Sequence, residues 1–567
     1  MDILKRLSRW LFYSFFVVSD VIFLLLFWFI ITVTIKIPSP PDLEVLKLKR
    51  TEISSDFYTI KNNWIKKSEN GLWEIYIEGD GFERGVIEGK LNKELAEKQE
   101  VAFVGQLKKM IPSQGMLNYL KFFIAFFNRN LDQYIPDEYK LEIYGESLSA
   151  SDQFDFIGPK YYRMLNYHAA HDIGHALQDK NMVVGCTSFG AWGGKTNDST
   201  LLIGRNFDFY VGDAFAEDKL INFVKPKNGY KLMMISWAGM IGTVSGMNEK
   251  GLTVTINASK SEIPTASATP ISILAREILQ YAKSIDEAFA IAKKSKTFVS
   301  ESILIGSLED HKSSIIEKTP SKTELYNSEQ LDFIICSNHF QSKGFQNNSV
   351  NLNNIEKSSS NYRLKHLTKL VEQAAGMTVE NAVSILRNRK GMNEENIGMG
   401  NEKSLNQLIA HHSVVFKPAK LQMWVSTNPF QLGQFVCYDL NKVFAQAPLM
   451  KTKKELYEKA LTIPADRFMY SREFRKFNSY KQMREAFQLK HKQKLMTEVA
   501  SKTITTFISL NPEYFETYYI LGNYYSDEKN VAEALKYYNL ALTKEITTVQ
   551  DKEAIEKSIL EIQKYNR

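Results

Sequence analysis

The sequence predicts an α+β protein whose sheets are covered by helices, with a membrane-spanning helix at its start and a helical tail at its end. Three features carry that expectation: an apolar run near the N-terminus, short β-rich segments alternating with helical ones through the middle, and helical sequence after about Lys453. At 567 residues the chain exceeds one ordinary hydrophobic core, so two or three folded units plus attachments are expected. A hydrophobic content of 44%, a charged content of 24% and only 15 prolines point to globular rather than disordered protein. The net charge of +7 comes from lysines and arginines scattered through acidic stretches, without the dense basic runs that track a phosphate backbone. Nucleic acid is not an expected partner.

The run WLFYSFFVVSDVIFLLLFWFIITVTI, residues 10–35, is almost wholly apolar and, at about 1.5 Å per residue, longer than the roughly 30 Å hydrocarbon core of a bilayer. It predicts a single transmembrane anchor. Lys5, Arg6 and Arg9 precede it, so the positive-inside rule leaves residues 1–9 cytoplasmic and places the rest, with its membrane anchor at 10–35, on the extracytoplasmic side. The exit ITVTIKIPSPPD lacks a small-x-small cleavage pattern, which predicts that the anchor is retained. Asp20 lies inside the span and is assigned no function.

Residues 36–185 read as a linker and a helical pro-region. Past Pro38, Pro40 and Pro41, a strand-like run at Trp73–Ile77 leads through GDGFERGVIEGKL into helix-rich sequence reaching about Leu177. Apolar positions in MLNYLKFFIAFFNRNLDQYI recur at three and four residues, the spacing of a helix packed on a neighbour. The segments CTSFGAWGG, STLLIGRNFDF, KLMMISWAG, IGTVSGMNEKG and LTVTINAS, separated by turn residues, read as an antiparallel meander. A helical stretch over 272–294 follows, then strands at ESILIGSL, SSIIEKT and LDFIICS, a helix after Tyr362 and a strand at LQMWVST, closing a unit over 186–440. In the tail, 450–567, residues Tyr518, Leu521, Gly522, Tyr525, Ala534, Tyr538 and Ala541 fall in register with one tetratricopeptide-like repeat at about 515–548. A single repeat cannot bury its own faces, so it is expected to cap neighbouring helices; a protein partner at the repeat is the sharper alternative.

The three cysteines, Cys186, Cys336 and Cys437, are odd in number, and none lies in a C-x-x-C pair or in zinc-type spacing. That favours a chemical role for at least one of them, with no metal and no cofactor expected. Cys186 directly follows Gly185 in VVGCTSFGAWGGKTNDSTLLIGRNFDF, at the start of a strand, and a turn leads to a second strand carrying Arg205 and Asp208.

These residues resemble the acyl-CoA:6-aminopenicillanic-acid acyltransferase family, relatives of the choloylglycine hydrolases in the N-terminal-nucleophile superfamily, over the stretch from GDGFERGVIEG to MWVST. The resemblance implies a four-layer αββα fold, self-cleavage between Gly185 and Cys186, and a cysteine amidohydrolase or acyltransferase acting on N-acyl amide or thioester substrates through an acyl-Cys186 intermediate. Cleavage would free an α-amino group whose pKa of about 7.7 to 8.0 suits a base at neutral pH, beside a thiol of about 8.5. No catalytic histidine is then needed. The proposed route is an N-to-S acyl shift followed by hydrolysis, with Gly185, lacking a Cβ, permitting the tight geometry. Arg205 and Asp208 correspond to the family's Arg-x-x-Asp pair: an ionised Asp208 would orient the new ammonium, and Arg205 would keep that carboxylate ionised and favour thiolate. Asn257 in TVTINA and Asn338 in CSNHF occupy places where the family carries asparagines beside the scissile carbonyl, as oxyanion donors. Arg363 in SSSNYRL resembles a further arginine that supports the site.

Three other classes compete. A papain-like protease would pair Cys186 with His339, although no C-G-x-C-W signature is present. A metal site would use His168, His171 and His175 beside Asp172, at i, i+3 and i+7, but they precede the cleavage point and core packing is the simpler account. A membrane-tethered scaffold would present the C-terminal repeat to a partner. Placement beside a membrane suits a small acylated or lipid-like substrate; hydrolysis and acyl transfer both remain open.

Overall fold

A computed structural model of the chain describes residues 2–111, 113–169, 172, 185–261, 267–329, 331–494 and 499–565. Helix α1 (Asp2–Val33) is followed by strands β1 (Thr51–Ser54), β2 (Phe57–Ile60), β3 (Asn63–Lys67) and β4 (Trp73–Gly79). Helices α2 (Gly81–Met110), α3 (Gln114–Phe127), α4 (Asp137–Ser147) and α5 (Lys160–His168) come next. Then run β5 (Thr187–Ala191), β6 (Leu202–Phe207), β7 (Leu220–Pro226), β8 (Leu232–Ser236), β9 (Ser245–Asn248) and β10 (Leu252–Ala258). Helices α6 (Ile271–Tyr281) and α7 (Ile285–Lys294) precede β11 (Glu301–Ser307), β12 (Lys312–Lys318), β13 (Thr323–Tyr326) and β14 (Phe333–Cys336). Helices α8 (Ser349–Lys357), α9 (Ser360–Gln373) and α10 (Val379–Leu386) lead to β15 (His412–Lys417), β16 (Gln422–Ser426) and β17 (Phe435–Asp439). The tail holds α11 (Leu440–Gln446), α12 (Arg472–Gln493), α13 (Ser501–Leu510), α14 (Phe515–Asp527), α15 (Val531–Leu542) and α16 (Val549–Tyr565).

The strands form two sheets, one of eleven in the order β1-β2-β3-β4-β7-β8-β9-β10-β11-β12-β13 and one of six in the order β14-β5-β6-β15-β16-β17. All neighbours are antiparallel except β4 and β7. The predicted meander therefore divides: β5 and β6 belong to the small sheet, β7 to β10 to the large one. Every residue of β5 and β6 is buried, so no solvent-facing alternation marks which sheet they join. The expected helical pro-region differs too, because four of its strands extend the large sheet and β4 lies parallel to β7. The expected strand-like run at Trp73–Ile77 is β4, whereas β3 is hard to read because its Lys66, fully buried, pairs at 2.7 Å with the equally buried Glu74 on β4. Charged residues of that kind erase the apolar pattern of a core strand.

Apolar side chains of the two sheets meet in a shared core containing Phe223, Met233, Leu304 and Ile315 from one and Val414, Met423 and Val436 from the other. On the large sheet α6 and α7 bury Leu274, Ile278, Leu279 and Ala288 against Val254, Ile303 and Ile305. On the small sheet α9 and α10 bury Leu367, Val371, Val383 and Leu386 against Phe189, Leu202 and Val415. The tail helices have their own core, which takes in Leu408, Phe430 and Leu432 from the preceding unit. Within it α14 and α15 come close where Gly522 faces Tyr538: a Cβ at 522 would lie 2.4 Å from the Tyr538 ring.

Residues Trp10–Val33 of α1 are long and apolar enough to cross a membrane, with a mean hydropathy of 2.6. The helix ends two residues short of the expected boundary. Ile35 is buried in the globular body, where its N–H donates to the Tyr162 hydroxyl at 2.9 Å and its carbonyl accepts from it at 2.8 Å. Near the end of α1, Trp28 and Phe29 pack on Phe122 and Phe126 of α3 with ring centroids 6.0 to 6.3 Å apart.

Candidate active site

Cys186 immediately precedes β5 and sits between the two sheets with 1% of its surface exposed. The β5–β6 register places Ser188 opposite Arg205, so the strand after Cys186 and the R-N-F-D strand are neighbours. Arg205 is fully buried, and its Nη2 lies 3.7 Å from the Cys186 Sγ. The same Nη2 also donates to the Ile256 carbonyl, while Nη1 reaches the large sheet by donating to the Val244 carbonyl and the Ser245 hydroxyl. Arg205 is thereby fixed by two backbone carbonyls and one hydroxyl, with Nη2 shared between the Ile256 carbonyl and the sulfur.

Asp208 follows β6 and is also fully buried. Its backbone carbonyl accepts from Gly185 N–H at 3.2 Å, while its two carboxylate oxygens have no hydrogen-bond partner among the described residues. Burial raises this carboxyl to about 7, opposed by the charges of Arg363 and Arg205. In the intact chain, without a direct hydrogen bond, the attraction of Arg205 and Arg363 offsets only part of the loss of water. Burial likewise pushes the Cys186 thiol up to about 11, with Arg205 drawing it down and Asp208 pushing it further up.

A pH dependence of stability follows. An unfolded carboxyl titrates near 3.9, so the folded chain holds this proton more tightly, and the associated stability is full below about pH 4 and lost as pH rises through 7. Between pH 5 and 8 the loss amounts to about 2 to 3 kcal/mol. Thermal melts of Cys186→Ala should therefore show a midpoint that falls over this range, and Asp208→Asn in the same background should flatten the fall. An unchanged slope in the double variant would assign the effect elsewhere.

Arg363 enters the site from the first turn of α9. It donates to the Cys186 carbonyl and the Thr187 hydroxyl, each at 2.8 Å, and to Asn338 Oδ1 at 2.8 Å. The two asparagines sit near by, but their amide donors are engaged: Asn257 Nδ2 with the Cys336 carbonyl at 3.0 Å, and Asn338 Nδ2 with the Ala258 carbonyl at 2.8 Å. Asn257 Oδ1 also accepts from Ser188 across the sheets at 3.3 Å. In this arrangement both tie the sheets together beside Cys186 rather than point at the Gly185 carbonyl. The side-chain amide that reaches that carbonyl is Gln407, through Nε2 at 2.8 Å, with the Thr187 hydroxyl a longer contact at 3.5 Å. Gln407 was not singled out from sequence, because it lies 222 residues away in a loop without a motif.

His339 directs Nδ1 to the Ser360 hydroxyl at 2.7 Å, and burial lowers it to about 4. The Cys186 thiol contacts Arg205 and the Asp208 carbonyl, so a Cys–His pair is not the local arrangement among the described residues. Of the histidine cluster, His171 and His175 lie outside the described residues. His168 uses both ring nitrogens within the core, Nδ1 with the Met164 carbonyl and Nε2 with the Ile241 N–H, and Asp172 accepts from Ile271 N–H. No cluster of potential metal ligands occurs among the described residues.

Part of the chain is similar to known proteins. Residues 194–430 match the acyl-coenzyme A:6-aminopenicillanic acid acyl-transferase family. That is the family whose motifs the sequence resembles, and the matched segment carries Arg205, Asp208, Asn257, Asn338, Arg363 and Gln407 while beginning just after Cys186. Two curated relatives are an uncharacterized protein of Archaeoglobus fulgidus, 26% identical over 42% of this chain and 41% of its own length, and the protein dcd1B of Dictyostelium discoideum, 23% identical over 45% and 52%. The chain thus spans about half the length of the curated relatives it matches. Similar solved structures include a Caenorhabditis elegans N-acylethanolamine-hydrolyzing acid amidase ortholog, at 15% identity, 41% of this chain, 93% of that one and a TM-score of 0.31. Another is a conjugated bile acid hydrolase from Clostridium perfringens, at 13%, 45%, 93% and 0.32.

Proposed function

We propose that this protein is a membrane-anchored cysteine amidohydrolase or acyltransferase that matures by cleaving its own Gly185–Cys186 bond. The observation that carries the reading is the setting of Cys186: its sulfur beside Arg205, its carbonyl held by Arg363, and a buried Asp208 carboxyl lacking a hydrogen-bond partner among the described residues. Cleavage creates an α-ammonium at Cys186, and Asp208 is then the acceptor that orients it. The new positive charge lowers both Asp208 and the thiol, offsetting the burial that holds them neutral in the intact chain.

In the matured enzyme the α-amino group takes the thiol proton, and the thiolate attacks the substrate carbonyl. The leaving amine departs with that proton, leaving a Cys186 thioester. Water resolves it to a carboxylic acid, or a second amine resolves it to a new amide. Asn257 and Asn338 position the strand ends around this centre, and Arg205 and Arg363 supply positive charge.

The architecture read here is four-layered, with α6 and α7 outside the large sheet and α9 and α10 outside the small one. It divides into a cytoplasmic start (1–9), an anchor ending near Val33, a pro-region to Gly185, a catalytic unit to about Asp439 and a tail with one tetratricopeptide-like helix pair, α14 and α15. The bulk lies on the extracytoplasmic side. The exposed apolar residues Met116, Tyr119, Phe122 and Phe123 of α3, next to the end of α1, support contact with the membrane surface and a lipid-like or N-acylated substrate.

The test is a thioester trap. Full-length protein in detergent, offered a panel of N-acyl amides and acyl thioesters and quenched in acid, should gain the mass of the acyl group on the fragment beginning at Cys186. Turnover without an adduct at Cys186, or no turnover of any member by a fully cut protein, would refute the reading.

A further inference from the structure

We infer that Gln407 is the oxyanion donor for self-cleavage, an inference that rests on the maturation reading above. Its side chain is fully buried, and Nε2 donates to the Gly185 carbonyl oxygen at 2.8 Å, the oxygen of the peptide that would be cut. When the Cys186 sulfur bonds to the Gly185 carbonyl carbon, the π electron pair moves onto this oxygen. A donor already aimed at it stabilises the developing charge without reorganisation. The tetrahedral species then expels the Cys186 nitrogen, which leaves with the proton from the thiol, and a Gly185 thioester remains on sulfur. Water adds to that thioester and the C–S bond breaks, giving the Gly185 carboxyl group, the free thiol and the new α-amino group.

Three further features show a built arrangement. A Cβ at position 185 would lie 2.4 Å from Gln407 Nε2 and 2.9 Å from its Cδ, so the amide occupies the space that glycine leaves. The glycine before the nucleophile thus admits this donor as well as easing the backbone. The loop that presents Gln407 is locked on both sides. Asn406 donates its N–H to the Asn388 carbonyl at 2.8 Å and accepts Leu408 N–H on its side-chain oxygen at 3.0 Å. Leu408 itself holds a positive φ of 57°, which costs an ordinary residue energy and persists only where its surroundings enforce it.

Those surroundings include the tail. Leu408 is buried in the core of the C-terminal helices with Phe477 and Tyr514, and the preceding segment is tied to the tail where Met399 N–H donates to Asn511 Oδ1 at 3.0 Å. The helical tail therefore acts as a positioning element, holding the loop that carries the donor.

The experiment follows cleavage by intact mass in full-length protein synthesised as a pulse, with wild type, Cys186→Ala, Gln407→Ala and Gln407→Glu in parallel and melting temperature as the control for folding. Wild type should cut before Cys186, Cys186→Ala should not, and Gln407→Ala should cut on the order of 100-fold more slowly. Gln407→Glu keeps the shape but donates only when protonated, so its rate relative to wild type should climb as pH falls, a signature that a merely structural role would not produce. If wild type and Cys186→Ala behave as stated while Gln407→Ala cuts at the wild-type rate, or the Gln407→Glu ratio is flat with pH, the donor role is wrong and the maturation reading stands. If wild type stays whole, or Cys186→Ala still cuts there, the maturation reading itself fails.

Discussion

Purified wild-type protein should resolve by intact mass into a fragment ending at Gly185 and one beginning at Cys186, whereas Cys186→Ala should remain a single chain of 567 residues. The alanine keeps the packing of a small buried side chain and removes only the sulfur, so the difference reads chemistry rather than folding. Activity toward any amide should fall by a factor on the order of 10⁴ or more, since the same atom begins both reactions. Cys186→Ser should cut slowly, because a hydroxyl at this buried position is a far weaker nucleophile than a thiol. Cys336 and Cys437, both buried and pushed up by burial, serve as controls: alanine at either should leave the cleavage pattern unchanged.

Arg363→Leu should produce the second largest effect. The guanidinium is 1% exposed and holds the Cys186 carbonyl, the Thr187 hydroxyl and Asn338 together. Leucine fills much of the volume but leaves these acceptors dry and unpaired, at a cost of about 1 to 3 kcal/mol for each one that water cannot reach. A clear drop in melting temperature should accompany a loss of activity of about 100-fold or more, since a 1 Å shift of the nucleophile is enough for that. Arg363→Lys should recover little, because one ammonium cannot span acceptors set out for a planar fork. If Arg363→Lys matched wild type in both rate and melting temperature, the bidentate role would be wrong.

The legibility of the site from sequence followed chain distance. Arg205 and Asp208 lie about twenty residues from Cys186, on the next strand and just after it, and a hairpin brings such residues together by local geometry alone. Asn257, Asn338 and Arg363 came by resemblance, and the structure gathers them beside Cys186, where the asparagine amides tie strands and Arg363 touches the Cys186 carbonyl. Gln407 carried no local signal, since a glutamine in SLNQLIAHH reads as an ordinary loop residue. The strand-like run at Trp73–Ile77 matches β4, whereas the buried Lys66 that pairs with Glu74 masks the apolar pattern of β3.

By itself the sequence determined what short-range physics can determine: an apolar span long enough to cross a bilayer, the order of strand and helix bunches, and a cysteine after a glycine at a strand start with Arg205 and Asp208 on the next strand and just after it. Tertiary structure alone decided that the apparent meander divides between two sheets, that residues 51–79 extend the larger one, and that Arg363 and Gln407, 177 and 222 residues from their partners, clamp the carbonyls of Cys186 and Gly185. The reason is that β5 and β6 are buried on both faces, so their pattern carries no register, and only the packing of helices and tail around them selects which distant side chains arrive.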